Sequence, residues 1–108
     1  FSAMQNAYAE GRHPVLCGAP AVICIAGPKS NMQRKDDCIC AEQYLMLYAE
    51  SIGIASCING FTQIAHKEAE KYLGVPDTHV IEAVIMLGYP KYRYQKPVRY
   101  ETDVSWTE

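Results

Sequence analysis

Two apolar runs in the sequence predict buried strands. The first extends from Pro20 to Gly27, is rich in β-branched residues, and has glycine and proline at both ends. The second extends from Val80 to Pro90 and is apolar except for Glu82. Runs of this length and composition are typical of strands buried on both faces. A third, very short strand is predicted over residues 54–58, where an Asn-Gly dipeptide ends it.

Between these strands the apolar residues follow a helical spacing. The clearest helix begins at Asp36 and Asp37, whose charges suit a helix N-terminus, and it ends at Gly53, which suits a C-terminal stop. This helix has few polar positions, so we expect it to be central and largely buried. A second helix is predicted from Thr62, as its N-cap, to Gly74, after which Val-Pro blocks its continuation.

The first residues resemble the last turns of a longer helix. Apolar side chains recur at helical spacing, and Gly11 suits the helix end. These apolar residues are Phe1, Met4, Ala7 and Tyr8. A helix this short, with no capping residue before it, is marginal by itself. We therefore expect further residues to precede Phe1 in the intact protein.

The order strand, helix, short strand, helix, strand predicts a layered α/β or α+β architecture. About three strands are visible, so the sheet is expected to be completed by further sequence or by a partner. The tail over residues 91–108 alternates charged and aromatic side chains. We expect this tail to be an extended arm that lies on another surface, such as a second subunit.

Composition limits the class of protein. The chain has 108 residues, of which 49% are hydrophobic and 20% are charged, which is an ordinary mixture for one small domain or part of a larger one. The formal net charge of −2 argues against a general polyanion binder. The apolar runs are too short to cross a bilayer, and no segment resembles a secretion signal. We therefore expect no membrane partner.

The five cysteines predict free thiols in a reducing, cytoplasmic compartment, because their number is odd and no secretion signal accompanies them. Cys38 and Cys40 fall on the predicted helix, where their side chains point about 200° apart and do not share a metal easily. The three histidines show no zinc spacing with the cysteines. No metal site is predicted.

Several segments, in this order, resemble the C-terminal half of the nitroreductase family. They are GAPAVICIAG at Gly18–Gly27, CAEQYLMLYAESIGIASCINGF at Cys40–Phe61, EKYLGVPDTHVIEAVIMLGYP at Glu70–Pro90, and the closing KYRYQKPVRYETDVSW. The resemblance covers roughly residues 14–106. Within the family, the sequence is similar to the branch in which some members carry a ferredoxin-type iron–sulfur domain ahead of the flavin domain. The sequence contains no iron–sulfur cluster motif.

The resemblance implies an α+β fold in which helices pack on a mainly antiparallel sheet. The chain would form the C-terminal part of a single flavin domain, over residues 1–108, with residues 91–108 as its arm. The family implies a homodimer with FMN at the subunit interface. NAD(P)H would reduce the FMN, which passes two electrons to a nitroaromatic, quinone or related acceptor. The flavin performs the chemistry, and the protein binds and orients it.

The same resemblance implies flavin-binding residues. The turn formed by Cys57, Ile58, Asn59 and Gly60 matches the family's turn beside the isoalloxazine ring, where N–H groups near Asn59 and Gly60 would face the ring. A glycine allows close approach of the backbone, and N–H donors stabilise negative charge on a reduced ring. The alternative is an ordinary Asn-Gly turn. No catalytic acid, base or nucleophile is predicted.

Arg99, with Lys96 nearby, matches the family's basic residues that hold the FMN phosphate. An arginine fork binds phosphate through paired, charge-assisted hydrogen bonds, and a lysine adds a point charge. The alternative is a solvated basic tail. The family's N-terminal arginine-rich segment, which also grips the phosphate, is absent from these residues, so we expect a complete FMN site to need further sequence.

Two other functions remain open from the sequence. One is a non-catalytic relative that binds a flavin or a partner without turnover. The other is a nucleic-acid-binding module that uses the tail, where tyrosines alternate with lysine and arginine in the mixture that single strands favour. The overall acidity of the chain argues against this second alternative, and nucleic acid is not expected as a partner.

Overall fold

The computed structural model describes residues 2–107, so Phe1 of the predicted first helix lies outside the described residues. The elements in chain order are α1 (Ser2–Ala9), β1 (Ala21–Pro28), α2 (Arg34–Ser51), β2 (Ala55–Ile58), α3 (Gly60–Ile64), α4 (His66–Leu73) and β3 (His79–Gly88). Helices α2, α3 and α4 pack on an antiparallel sheet, which confirms the predicted α+β class.

Within the described residues the sheet has the strand order β1-β3-β2, with β3 in the middle. Both pairings are antiparallel, from Ala21 opposite Leu87 on one side and from Ala55 opposite Gly88 on the other. The centre of β3 forms the core, since Val84 and Ile85 have no exposed surface. The most apolar run of the sequence therefore takes the position with neighbours on every side.

A β-bulge interrupts the pairing of β1 with β3. Ile25 lies opposite Ala83 and Ala26 lies opposite Ile81, which leaves Glu82 as the extra residue. A bulge changes the direction in which its side chain points. Glu82 accepts a hydrogen bond from Arg34 of α2 at 2.6 Å, so the one acidic residue of this strand is paired beneath the helix.

The short strand β2 pairs with β3 only from Ile85 to Gly88. In the part of β3 that precedes Ile85, three backbone groups bond to residues that follow β2 in the chain. The Val84 carbonyl accepts from the Asn59 N–H at 2.8 Å, the Glu82 carbonyl accepts from Gln63 Nε2 at 2.6 Å, and the Ile81 N–H donates to Glu70 Oε1 at 2.8 Å. Helices α3 and α4 therefore satisfy the edge that β2 leaves open.

The structure corrects two predicted helix boundaries. Helix α2 begins at Arg34, before the predicted aspartates, which lie in its first turn. The single helix predicted from Thr62 to Gly74 is two helices, α3 and α4, which meet at Ala65. The N-cap of α3 is Asn59, not Thr62, and the Asn59 side chain accepts a hydrogen bond from the Thr62 N–H at 2.8 Å. A preceding asparagine competes well for this role because its short side chain reaches the first turn.

The prediction that α2 is largely buried is wrong for this chain. The face of α2 toward the sheet buries Cys38, Glu42 and Ala49. The opposite face, called here the outer face of α2, exposes more than half of each of three large side chains. These are Tyr44, Leu47 and Tyr48. Apolar side chains occur all around α2, a pattern that predicts burial on every side. Among the described residues, only the sheet packs on this helix, and it covers one side.

Beyond β3 the chain is extended. Residues 89–107 contain no helix or strand and are exposed. They account for the radius of gyration of 17.5 Å, which exceeds the value of about 13 Å for a compact chain of this length. Across the described part of the chain, no helix combines the length and the apolar character that a membrane span requires.

Candidate functional site

A hollow of about 440 Å³ lies between the turn that precedes β1, the short strand β2 and the end of β3. We call it the β2 hollow. It is lined by residues 16–20, 55–57 and 86–89. Cys57, one of the predicted flavin-binding residues, therefore lies in its wall. The exposed Ile58 and Gly60 follow directly in the chain.

The turn before β1 is fixed against the sheet at both of its ends. Asn59 Nδ2 donates to the Val15 carbonyl at 2.7 Å. At the other end, a Cβ atom added to Gly88 would lie 3.3 Å from Cδ of Pro20, so the two backbones pack closely there. The turn itself has left-handed backbone geometry at Cys17, with φ of 50°, which is unusual for a residue other than glycine.

Asn59 organises the predicted flavin turn from within the protein. It is 4% exposed. Its backbone N–H donates to Val84, and its side chain both caps α3 and holds the turn before β1. The prediction that the Asn59 N–H faces a ligand is therefore corrected, because that donor is already used.

Gly60 is the residue of this turn that is open to a ligand. It is exposed, and a Cβ atom added to it would meet nothing within 4 Å. Gly60 is also the first residue of α3, and the first N–H groups of a helix have no partner within the helix. A flavin contact at Gly60 stays a prediction.

Lys96 and Arg99 lie apart from this turn. Both are exposed, and together with Pro97 they line a separate hollow of about 360 Å³ on the arm. Within residues 2–107 neither side chain has an ion-pair partner. Their charges are therefore available to an anion, and their role toward a phosphate stays a prediction.

Beneath α2 lies a polar cluster that the sequence analysis did not identify. Arg34, Cys38 and Glu42 follow one another at intervals of one helical turn on the buried side of α2. The Arg34–Glu82 ion pair closes one end of this row. Burial, and then the charge of Glu82, raise the pKa of the Cys38 thiol. In the sequence, this cluster was indicated only by Glu82, a single glutamate in an otherwise apolar strand.

Glu42 is the unusual member of this cluster. It is 7% exposed, and its Oε1 atom has no hydrogen-bond partner among the described residues. Burial raises the pKa of its carboxyl group, because the charged form loses its hydration without gaining a partner. The structure therefore favours the protonated form of this side chain.

A second carboxylate, Glu70 of α4, has the opposite electrostatics. The hydrogen bond from the Ile81 N–H lowers the pKa of Glu70, and His66, whose Nδ1 lies 3.1 Å from Oε1, lowers it further. Lys29 contributes in the same direction. This group links α4 to β3 and is best stabilised in its charged form.

An apolar hollow of about 480 Å³ lies between α4 and one face of the sheet. Val22, Cys24 and Ala26 of β1 face it, on the side opposite to α2. Burial raises the pKa of the Cys24 thiol.

Cys38 is buried and Cys40 is exposed, which confirms that they point to different sides of α2. Among residues 2–107 no three potential metal ligands converge.

Comparison with known proteins gives a consistent result. A family model described as "Nitroreductase family" matches residues 2–89. A protein of Archaeoglobus fulgidus, with the provisional name NADH dehydrogenase/NAD(P)H nitroreductase, is 32% identical over 94 residues, which are 82% of this chain and 53% of that relative. The chain thus spans about half the length of the curated relative it matches.

Solved structures resemble this fold over most of the chain. A nitroreductase with bound FMN from Desulfitobacterium hafniense has a TM-score of 0.72 at 24% identity and is matched over 99% of this chain and 60% of its own. One with bound FMN from Bacteroides fragilis has a TM-score of 0.70 at 22% identity, over 98% and 60%. An FMN-dependent nitroreductase from Clostridium difficile has a TM-score of 0.66 at 26% identity, over 74% and 51%.

Proposed function

The chain belongs to the nitroreductase family, and on this premise we propose that it forms part of an FMN-dependent oxidoreductase. NAD(P)H is the reductant, and a nitroaromatic, a quinone or a related molecule accepts two electrons. The observation that carries the proposal is the family match over residues 2–89, supported by relatives of the same fold that bind FMN. When bound, FMN supplies the electron transfer, and the protein residues bind and orient it.

The turn from Cys57 to Gly60 is proposed to lie against the flavin ring. Gly60 supports this role because it is exposed, has no side chain and stands at the start of α3. An N–H donor there stabilises negative charge on the reduced ring. Asn59 acts indirectly in this proposal, because its hydrogen bonds to Val84 and Val15 hold the turn in place.

Arg99 and Lys96 are proposed to hold the phosphate of FMN. Both are exposed and unpaired among the described residues, and cationic side chains without partners suit a phosphate. They line a hollow separate from the turn that contains Gly60. The proposal therefore requires further sequence or a second subunit to join the two parts of the site.

A homodimer is proposed as the functional form. The outer face of α2 supports it, because the largely apolar surfaces of Tyr44, Leu47 and Tyr48 on one helix face are costly to leave in water. The exposed segment over residues 89–107 is the second supporting feature, since an extended segment without helix or strand is suited to lie on a partner subunit. A cytoplasmic location remains the expectation.

Reconstitution of the full-length protein tests the function. Purified protein is titrated with FMN and followed by visible absorption, and then NADH or NADPH is added without oxygen. We expect tight binding of FMN and bleaching of the flavin bands by the reduced nucleotide. Binding without bleaching would favour the non-catalytic alternative, and a full-length protein that ignores FMN would contradict the proposal.

A further inference from the structure

A further hollow, of about 480 Å³, lies where α4 meets the end of β1 and the start of β3. We call it the lysine hollow. It is lined by Lys29, by part of α4 and by residues 75–77 and 80. Its volume is within the range of about 300–1,000 Å³ that is typical of small-ligand sites.

The lysine hollow and the β2 hollow lie at opposite ends of the central strand. Lys29 donates its backbone N–H to the Thr78 carbonyl at 2.8 Å, directly before β3 begins at His79. The β2 hollow lies beside Gly88, where β3 ends. Ten residues of strand, or about 30 Å, separate the two ends. The lysine hollow is therefore remote from the turn that is proposed to contact the flavin.

Three lysines from two parts of the chain line this hollow, namely Lys29, Lys67 and Lys71. All three are exposed, and within residues 2–107 none of them has an ion-pair partner. Lys67 and Lys71 are one turn apart on α4, so they lie on the same side of the helix. Lys29 reaches the hollow from the loop after β1. Ammonium groups from two elements thus border one concavity.

Two carboxylates also line the hollow, and they do not balance the lysines. Glu70 is used within the protein, because its Oε1 accepts from the Ile81 N–H at 2.8 Å and lies 3.1 Å from Nδ1 of His66. Asp77 is exposed in the loop before β3. Three lysines against two carboxylates leave an excess of positive charge, in a chain whose formal net charge is −2.

The remaining lining of the hollow is apolar. Val75 and Val80 are half-buried, and Pro76 lies between the helix and the strand. Lysine binds phosphate as a point charge on a flexible stem, and the stem packs on apolar surface. Like charges that border one concavity repel each other, so a ligand with several negative charges relieves more of this repulsion than a ligand with one.

We propose that the lysine hollow binds a diphosphate group, either as inorganic diphosphate or as part of a nucleotide. Lys29 contacts the phosphates from the side of β1, and Lys67 and Lys71 contact them from α4. The apolar lining at Val75 and Pro76 packs against the rest of a nucleotide. This site goes beyond the proposed function and does not require FMN.

Isothermal titration calorimetry of the full-length protein with inorganic diphosphate and with ADP tests the site. The protein is first saturated with FMN, so that the phosphate site proposed at Arg99 is filled. We expect one binding site per chain, whose affinity falls as sodium chloride is added. Equal affinities would identify the free diphosphate as sufficient, and tighter binding of ADP would identify a nucleotide. Binding of neither probe would overturn the proposal. If the protein does not bind FMN, the Arg99→Ala variant is titrated instead, so the two proposals fail separately.

Four variants complete the test. Lys67→Gln and Lys71→Gln should each weaken binding by about tenfold, the effect of losing a charged contact. Lys35→Gln, which removes an exposed lysine of α2, should leave binding unchanged. Asp77→Asn should strengthen binding, because it removes a negative charge from the hollow. An equal loss in the Lys35 variant would indicate attraction to the overall charge and overturn the site. All four positions are exposed, so the variants should fold like the wild type.

Discussion

Arg34 of α2 and Glu82 of β3 form an ion pair of 2.6 Å between Nε and Oε1 across a separation of 48 residues. The pair is the polar contact by which α2 is held on the central strand. It is made at the bulge, where the extra residue of β3 turns its side chain toward the helix.

Removal of one member of this pair should destabilise the fold. We expect Glu82→Gln to lower the free energy of unfolding by about 1–3 kcal/mol, because the partly buried guanidinium of Arg34 loses its charged partner. Urea denaturation measures the change. The matched control is Glu10→Gln, which removes an ion pair with Arg12 that is more than half exposed and should cost less than about 1 kcal/mol. Equal losses in the two variants would contradict this role for the pair.

Glu42→Gln should stabilise the protein at neutral pH. Burial raises the pKa of Glu42 in the folded state above its pKa in the unfolded state. As the pH rises from the unfolded-state pKa to the folded-state pKa, the cost of ionising the buried carboxyl group therefore lowers the free energy of unfolding. The variant has no charge to bury, and its advantage should shrink as acid protonates Glu42. Thermal unfolding of both proteins at several pH values measures this. Glu50→Gln, an exposed change on the same helix, should have little effect at any of them.

Glu70→Gln should have the opposite pH dependence. The folded-state pKa of Glu70 is lowered, chiefly by the Ile81 N–H and then by His66, so its stabilising effect is present above the unfolded pKa and is lost as the pH falls through the folded one. The variant should be less stable than the wild type at neutral pH and approach it in acid. Glu68→Gln, exposed on the same helix, is the control. A difference that persists in acid would instead indicate a packing effect.

Arg99→Ala should weaken FMN binding in the full-length protein by roughly 1.5–3 kcal/mol, the range of a charged hydrogen bond. This corresponds to a loss of affinity of about 10- to 150-fold, which fluorescence titration can measure. Arg93→Ala removes another exposed arginine of the tail and should leave the affinity near that of the wild type. Unchanged affinity in the Arg99 variant would remove this residue from the phosphate site.

Tyr48→Glu should dissociate the proposed homodimer. The substitution places a charge on the outer face of α2, where burial against a second copy would leave the charge unpaired. Sedimentation analysis of the full-length protein measures the assembly state. Met32→Glu is the matched control, since Met32 is a fully exposed apolar residue in the loop before α2. If both variants remain dimeric, the outer face is not the interface.

Much of the fold could be predicted from local patterns. The two apolar runs were placed within one or two residues of β1 and β3, and Gly74 ends α4 in the left-handed conformation that a glycine stop requires. These features depend on neighbours in the sequence. The start of α3 could not be predicted, because its N-cap Asn59 bonds to strand β3 as well as to the helix.

The site was less predictable than the fold. The resemblance predicts a flavin contact at Cys57–Gly60, which stays a prediction. The hydrogen bond from the Asn59 N–H to the Val84 carbonyl follows from where β2 stops along β3, which the sequence does not indicate. The polar row beneath α2 likewise depends on the bulge at Glu82, which no periodicity in the sequence reveals. The exposure of the outer face of α2 could not be predicted, because an apolar pattern predicts a buried helix and does not specify which residues of the chain cover it.

Among residues 2–107, the central strand of the sheet is also the last helix or strand along the chain. Ala21 pairs with Leu87 and Ala55 pairs with Gly88, so neither outer strand has a partner until the ribosome has released residues near position 88. Until then, β1 and α2 lack the contacts that they make with β3. Folding that depends on such distant pairings is slow, and the exposed intermediates tend to aggregate. Production of this protein should therefore benefit from slower translation, lower temperature or additional chaperone.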